Sequence, residues 1–139
     1  MSNSNLITAF ATDNGRQMMT RHFGDADYYY IFSISHNTSD YITRVKNGTE
    51  EEREHADPKK AKGIAGLLKN NDVKVCVSPV FGPNIKRIKK KFVCIVMQER
   101  DIESAVRIIQ SNFTEVEKQW IRGEERDILH MGGSNEDVS

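Results

Sequence analysis

Residues 73–97, VKVCVSPVFGPNIKRIKKKFVCIVM, contain two short apolar runs separated by a polar and strongly basic segment. The runs at 73–78 and 92–97 are rich in β-branched residues and have the length of buried strands. Turn residues at 81–84 precede a segment that we predict to be a short basic helix ending near Lys91. A strand, a helix and a second strand in this order predict a right-handed parallel crossover.

Three further strand patterns precede this unit. They lie at 6–12 (LITAFAT), 28–34 (YYYIFSI) and 41–46 (YITRVK), and their order without intervening helices predicts an antiparallel meander. Helices are predicted from Asp57-Pro58, an N-cap followed by a first-turn proline, and from Asp101. The chain is therefore expected to be an α/β protein. We predict a mixed five-stranded sheet of order 3-2-1-4-5, flanked by helices, with the first strand in its centre.

Composition narrows the class of protein. The 139 residues are 37% hydrophobic and 29% charged, which is typical of one soluble domain. Twenty basic and twenty acidic residues give a net charge of zero, so global charge argues against a dedicated nucleic-acid binder. No signal peptide or membrane span is apparent, and we expect a cytoplasmic protein. Cys76 and Cys94 lie in apolar runs and are expected to be buried, reduced thiols.

The last part of the chain has a different pattern. Val116, Trp120 and Ile121 have spacing that suits one or two further helical turns. From Gly132 onward the sequence is rich in Gly, Ser and Asp, which is typical of a disordered tail. We therefore predict a short helix followed by a disordered segment.

Two loops carry candidate binding residues. His22 lies in the long loop between the first two predicted strands, and Gly24 lets the backbone approach a ligand closely. A neutral imidazole is a good iron ligand, although on residue type alone a turn or capping histidine is the more common interpretation. Gly82 and Asn84 precede the basic helix, where free N–H groups and cations such as Lys86 attract anions. A solvated basic helix face explains the same residues equally well.

Four stretches together resemble the dinitrogenase iron–molybdenum cofactor biosynthesis family, which includes NifX and the C-terminal part of NifB. They span residues 6 to about 112, and His-Phe-Gly at 22–24 is the most specific feature. The stretches are FATDNG (10–15), RHFGDADYYYIF (21–32), KAKGIAGLLK (60–69) and VFGPNIKRIKKKFV (80–93). The resemblance implies a ribonuclease-H-like fold, a NifX-like cofactor-binding domain at 1–112 and a C-terminal extension at 113–139.

The resemblance also implies a function. Family members hold metal clusters without catalysing a reaction, so we expect a carrier that transiently binds an iron–sulfur or iron–molybdenum cofactor precursor. Its partners would be the metal cluster and the proteins that donate and accept it, with neither a membrane nor a nucleic acid. Many relatives carry extra histidines before the first long helix, where this chain has only His55. His22 is the implied metal ligand, and the implied cofactor-binding residues around it are Arg21, Gly24, Gly82, Asn84 and Lys86.

Other classes of function find less support in the residues. A two-metal nuclease needs several converging carboxylates. Asp13, Asp25 and Asp27 lie in loops, where Asp is common anyway. Both cysteines lie in apolar strands, the wrong setting for an activated nucleophile. We therefore expect no enzyme activity. The alternative is a metal-free interaction module that binds a partner protein or RNA through the basic helix at 84–91.

Overall fold

The computed structural model describes residues 5–48 and 63–133. Short 3-10 turns at Phe23–Asp25 and Gly123–Glu125 accompany the regular elements. The strands are β1 (Leu6–Thr12), β2 (Tyr28–Ile34), β3 (Ser39–Lys46), β4 (Val75–Ser78), β5 (Val93–Met97) and β6 (Leu129–Met131). The helices are α1 (Gly63–Asn70), α2 (Ile85–Ile88), α3 (Ile102–Ser111) and α4 (Phe113–Arg122). No helix among the described residues is long and apolar enough to cross a membrane.

The described strands form one mixed sheet of order β3-β2-β1-β4-β5-β6. The pairs β1–β2 and β2–β3 are antiparallel, whereas β1–β4, β4–β5 and β5–β6 are parallel. The α/β class, the mixed sheet and the relative order of the first five strands are thereby confirmed. Strand β1 lies inside the sheet and β3 lies at an edge, as the sequence predicts.

The prediction of five strands is wrong, because Leu129–Met131 adds a sixth beside β5. This segment is only three residues long and has no alternating pattern of its own. Its strand conformation comes from backbone pairing with β5, about thirty residues earlier in the chain. The ribonuclease-H-like classification stays a prediction.

The sheet separates two hydrophobic cores because side chains alternate along each strand. On β1, Phe10 joins the core beneath α3 and α4. Ala9 and Ala11 face the other core, which lies beneath α1 and α2 and also contains Cys76 and Cys94. Both cysteines are fully buried free thiols, as predicted.

Helix boundaries follow the sequence in part. Asp101 caps α3, as predicted, by accepting a hydrogen bond from the Ser104 backbone N–H at 2.9 Å. The predicted start of the first helix at Asp57-Pro58 lies outside the described residues. The prediction of a basic helix over 84–91 is wrong in its length, because α2 is a single turn of four residues. The lysines at 89–91 instead form the turn that leads into β5.

The C-terminal extension packs closely against the sheet. Phe113 and Val116 of α4 are buried in the first core, and β6 covers the edge of β5. Arg126 is buried as well, and its guanidinium donates to the carbonyl oxygens of Lys90 at 3.0 Å and Trp120 at 2.9 Å. These contacts tie the extension to the turn after α2. The division at residue 112 stays a prediction. The disordered tail is predicted from Gly132, and its residues from 134 onward lie outside the described residues.

Candidate metal-cluster site

Two loops meet where the inner strands β1 and β4 end. These strands are parallel neighbours, so their carboxyl ends lie side by side and the loops that follow them are brought together. Their contact is aromatic: the rings of Phe23 and Phe81 stack with centroids 5.2 Å apart, and Tyr29 packs against Phe23 at 5.0 Å. Both phenylalanines are buried, so the two loops share one piece of the core and hold a fixed relative position.

The first loop begins with a tight turn. The Thr12 hydroxyl accepts a hydrogen bond from the Gly15 N–H at 2.9 Å, and the Asn14 side-chain oxygen accepts one from the Arg16 N–H at 2.8 Å. Gly15 has a φ of +81°, and the hydroxyl of Tyr30 lies where a Cβ on Gly15 would be. Glycine is therefore required at this position, both by the backbone conformation and by the close aromatic contact.

The part of the loop around Gly24 is fixed by hydrogen bonds to its backbone. The Tyr29 hydroxyl donates to the Phe23 carbonyl at 2.7 Å. The Asn47 side chain donates to the carbonyls of Gly24 at 2.9 Å and Ala26 at 2.8 Å. Asn47 is a polar residue that follows β3 directly. The sequence gives no local signal for this long-range role.

His22 is exposed and immediately precedes the 3-10 turn. Its backbone carbonyl accepts a hydrogen bond from the Asp25 N–H at 2.8 Å, while its imidazole makes no capping hydrogen bond to that turn. The imidazole lies against Gly82, whose absent Cβ would be only 2.5 Å from Nδ1. The structure therefore brings together two residues that the sequence predicts as parts of one site.

Arg21 binds within its own loop. Its guanidinium makes a two-pronged contact with the Asp13 carboxylate, at 2.8 and 3.0 Å, and donates to the Asp25 carbonyl at 3.0 Å. The hydrogen bond from Arg21 is the main reason why the pKa of Asp13 is lowered. Asp13 also accepts a hydrogen bond from the Asp27 N–H at 3.0 Å, so this ion pair joins both ends of the loop. Much of the Arg21 charge is thus already balanced by Asp13.

The remaining predicted residues lie around this point. Gly24 is close to α1, since a Cβ placed on it would be 3.8 Å from Cγ1 of Ile64, an ordinary contact distance. Asn84 is exposed at the start of α2 and makes no side-chain capping bond, and Lys86 is exposed in α2 itself. Because α2 is a single turn, its helix dipole is small, and its N-terminus attracts an anion only weakly. The exposed cations around it remain available to attract an anion.

Few side chains near these two loops could bind a metal. No group of three or more His, Cys, Asp or Glu side chains is positioned to hold a metal ion within residues 5–48 and 63–133. Burial raises the pKa of Cys94 to about 12 and raises that of Cys76 well above its ordinary value. Both thiols are therefore protonated at neutral pH and enclosed in the core, where a cluster cannot reach them. The exposed imidazole of His22 remains as the candidate ligand.

Comparisons with known proteins identify a matching family and a similar fold. A family model described as dinitrogenase iron–molybdenum cofactor matches residues 4–112. The structure is also similar to a crystal structure of a candidate dinitrogenase from Methanocaldococcus jannaschii, with a TM-score of 0.55 and 17% sequence identity. That similarity covers 78% of this chain and 91% of the other, and at this identity it shows the fold alone. No curated protein matches the chain.

Proposed function

Because the chain belongs to the dinitrogenase iron–molybdenum cofactor family, we propose that it binds a cofactor precursor of the iron–sulfur or iron–molybdenum type and releases it to another protein. The observation that carries this proposal is the position of His22. Its imidazole is exposed, yet it is held at the junction of two loops whose backbones are fixed by buried rings and hydrogen bonds. A ligand in such a position is accessible to a bulky cluster and is already oriented for it.

The small number of protein ligands supports transient binding. Stable iron–sulfur clusters usually take four protein ligands, mostly cysteine thiolates. Here the loops after β1 and β4 supply one exposed imidazole, that of His22, and both cysteines are buried in the core. The other metal positions of the cluster would keep their own ligands, so a competing acceptor protein can displace His22. That property suits a carrier better than a redox protein with a resident cluster.

The surroundings suit an anionic cargo. Exposed cations extend from the loop wall near Gly82 along α2 and the turn after it, at Lys86, Arg87, Lys90 and Lys91. Metal–sulfur clusters that carry organic acids are anionic, so these side chains lower the electrostatic cost of holding them close. The attraction is weak at each exposed residue and falls with salt. We therefore expect cluster retention to decrease as ionic strength rises.

We also propose that the protein is not an enzyme. Asp13, which lies in the same loop as His22, already accepts hydrogen bonds from Arg21 and from the Asp27 backbone. Its carboxylate is therefore occupied with holding the loop. Purified protein should cleave neither RNA nor DNA in the presence of Mg²⁺ or Mn²⁺. Metal-dependent cleavage that disappears in Asp13→Asn would contradict this part of the proposal.

Anaerobic titration with a reconstituted iron–sulfur precursor tests the proposal. We expect the protein to leave a desalting column with iron, sulfide and a charge-transfer absorption band. We further expect a chelator to remove the iron rapidly, because one imidazole gives little kinetic protection. A protein that leaves the column without iron would instead favour the metal-free interaction module, with the exposed basic residues of α2 contacting a partner protein or RNA.

A further inference from the structure

We infer that strand β3 is an interaction surface for a second copy of this chain, with which it forms an antiparallel pair and a two-fold symmetric dimer. The inference concerns the edge of the sheet and does not depend on the proposed cargo. Within residues 5–48 and 63–133, β3 is an outermost strand of the sheet, with β2 as its neighbour. Every second backbone N–H and C=O of such an edge strand points away from the sheet and can pair with another strand.

The middle of β3 exposes apolar surface. Four large hydrophobic side chains are exposed among the described residues, and two of them are neighbours on β3: Tyr41 is 52% exposed and Ile42 is 50% exposed. A bulge lies at Ile42, where β3 has one residue more than the paired part of β2. A long edge strand with exposed apolar side chains at its centre is a typical site of association between chains.

The charges on β3 indicate which strand fits it. Asp40 lies in the first half of the strand, whereas Arg44 and Lys46 lie in the second half, and all three are exposed. Charged side chains on an edge strand usually oppose pairing with other chains. In an antiparallel pair of two β3 strands, however, the basic half of each strand lies along the half of the other that carries the carboxylate. A parallel pair would place like charges beside each other, so the charges select the antiparallel direction.

Side-chain directions on β3 follow from its pairing with β2. Tyr41 lies opposite Phe32. Arg44 lies opposite Tyr30, two positions earlier on β2, so Tyr41 and Arg44 share one face of the sheet. Arg44 also lies over the ring of Tyr28, 5.1 Å from its centroid. One face of β3 thus presents an exposed tyrosine and an exposed arginine that already contacts an aromatic ring.

One register satisfies these directions in both copies. When the two-fold axis lies between the fourth and fifth residues of β3, Tyr41 of each copy lies opposite Arg44 of the other, on the same face. Ser39 then lies opposite Lys46, and these two residues also share that face. No like charges are opposed in this register. Each Tyr41–Arg44 pair adds a cation–π contact to the backbone hydrogen bonds between the strands.

The dimer leaves both candidate sites accessible. Strands β1 and β3 run in the same direction, because each is antiparallel to β2. Asn47, just after β3, donates to the carbonyl of Gly24 in the loop that carries His22. The candidate site therefore lies at the end of the sheet where β3 ends. Antiparallel pairing places the site of the second copy at the opposite end of the joined sheet, where neither site obstructs the other.

Sedimentation at increasing protein concentration tests the surface. One strand pair is a small interface compared with the about 1,200–2,000 Å² of stable complexes, so we expect a reversible dimer at roughly 0.1–1 mM protein. Ile42→Lys should raise the dimer dissociation constant more than about tenfold, because it places two like charges beside the two-fold axis. Ile121→Lys is the matched control, since Ile121 is 80% exposed on α4, and it should dimerise as the wild type does.

Thiol cross-linking tests the register. Ser39→Cys and Lys46→Cys proteins, mixed at the same total concentration, should be joined by a short bifunctional thiol reagent. Neither protein alone should cross-link, because identical positions lie at opposite ends of the strand pair, roughly 23 Å apart at about 3.3 Å per residue. The native cysteines are buried and do not compete for the reagent.

Three results would overturn the inference. The first is a wild type that remains monomeric at every concentration tested. The second is a dimer whose dissociation constant is the same in Ile42→Lys. The third is a cross-linking pattern in which Ser39→Cys joins to itself as readily as to Lys46→Cys, or in which the mixture does not cross-link. The cross-linking pattern decides the matter even if Ile42→Lys fails to fold.

Discussion

Replacing Phe23 by alanine should destabilise the protein and also disorder the candidate site. The Phe23 side chain has no exposed surface, and it contacts the rings of both Tyr29 and Phe81. It is the only fully buried side chain of its 3-10 turn. Truncation would therefore leave a cavity directly beneath the backbone that positions His22.

The expected cost can be worked from this burial. Phe→Ala changes in well-packed cores typically lower the free energy of unfolding by about 3–5 kcal/mol, through lost transfer energy and the cavity that remains. A domain of this size has a total stability of about 5–15 kcal/mol, so the variant should still fold in most of that range. The hydrogen bond from Tyr29 to the Phe23 carbonyl does not depend on the side chain and limits the collapse.

Phe113→Ala provides a control of equal chemistry. Phe113 is 1% exposed but belongs to the core on the opposite face of the sheet. Urea denaturation should give both variants a similar loss of about 3–5 kcal/mol. Only Phe23→Ala should then change the ¹⁵N signals of His22 and its binding of Zn²⁺ under native conditions. A loss below about 1 kcal/mol for Phe23→Ala, or an equal disturbance of His22 by Phe113→Ala, would refute this reasoning.

Four further predictions concern pH and the extension. Burial raises the pKa of Cys94 from 9.0 to about 12. The stability that this thiol contributes is therefore present below about pH 9 and is lost as the pH rises towards 12. Cys94→Ala should reduce that alkaline loss of stability in urea denaturation. The hydrogen bond from Arg21 lowers the pKa of Asp13 below its ordinary value of 3.8. The stability that the Asp13 carboxylate contributes is therefore present above pH 3.8 and is lost as the pH falls through the lowered pKa. Asp13→Asn should make the stability of the protein depend less on pH in this acid range. Arg126→Met removes the donors to the carbonyls of Lys90 and Trp120 and should cost about 1.5–3 kcal/mol in the same assay, whereas an unchanged midpoint would contradict a structural role. A chain ending at residue 112 should show no cooperative thermal transition, because it lacks the core side chains of α4 and the strand beside β5.

The fold was largely predictable because its strands carry local signals. The segments at 6–12 and 28–34 are apolar, rich in strand-forming residues and bounded by turns, and the structure has strands at the same positions. The pattern of β6 is too short to give such a signal, and its pairing with β5 is a long-range contact. The length of α2 was overestimated for a related reason. A run of lysines is compatible with a helix, but the carbonyls at its end are bound by Arg126, far away in the sequence.

The site was predictable only in outline. The sequence places His22 and Gly82 in loops that follow parallel neighbouring strands, which is enough to predict that they lie near each other. It cannot indicate that Arg21 binds Asp13 or that Asn47 holds the backbone beside Gly24, because polar loop residues have many potential partners. These contacts appear only when the chain is folded, and they show that Arg21 also shapes its loop.

A comparison of cluster retention tests whether this protein carries metal through His22. The proteins compared are the wild type, His22→Ala and His130→Ala. All three are incubated anaerobically with the same reconstituted iron–sulfur precursor, and iron and sulfide per protein are measured after gel filtration. His130 is an exposed histidine on β6, so its variant controls for non-specific binding to surface imidazoles. We predict that the wild type and His130→Ala retain equal amounts of cluster and that His22→Ala retains almost none. Equal retention by the wild type and His22→Ala would contradict the assignment of His22 as the ligand.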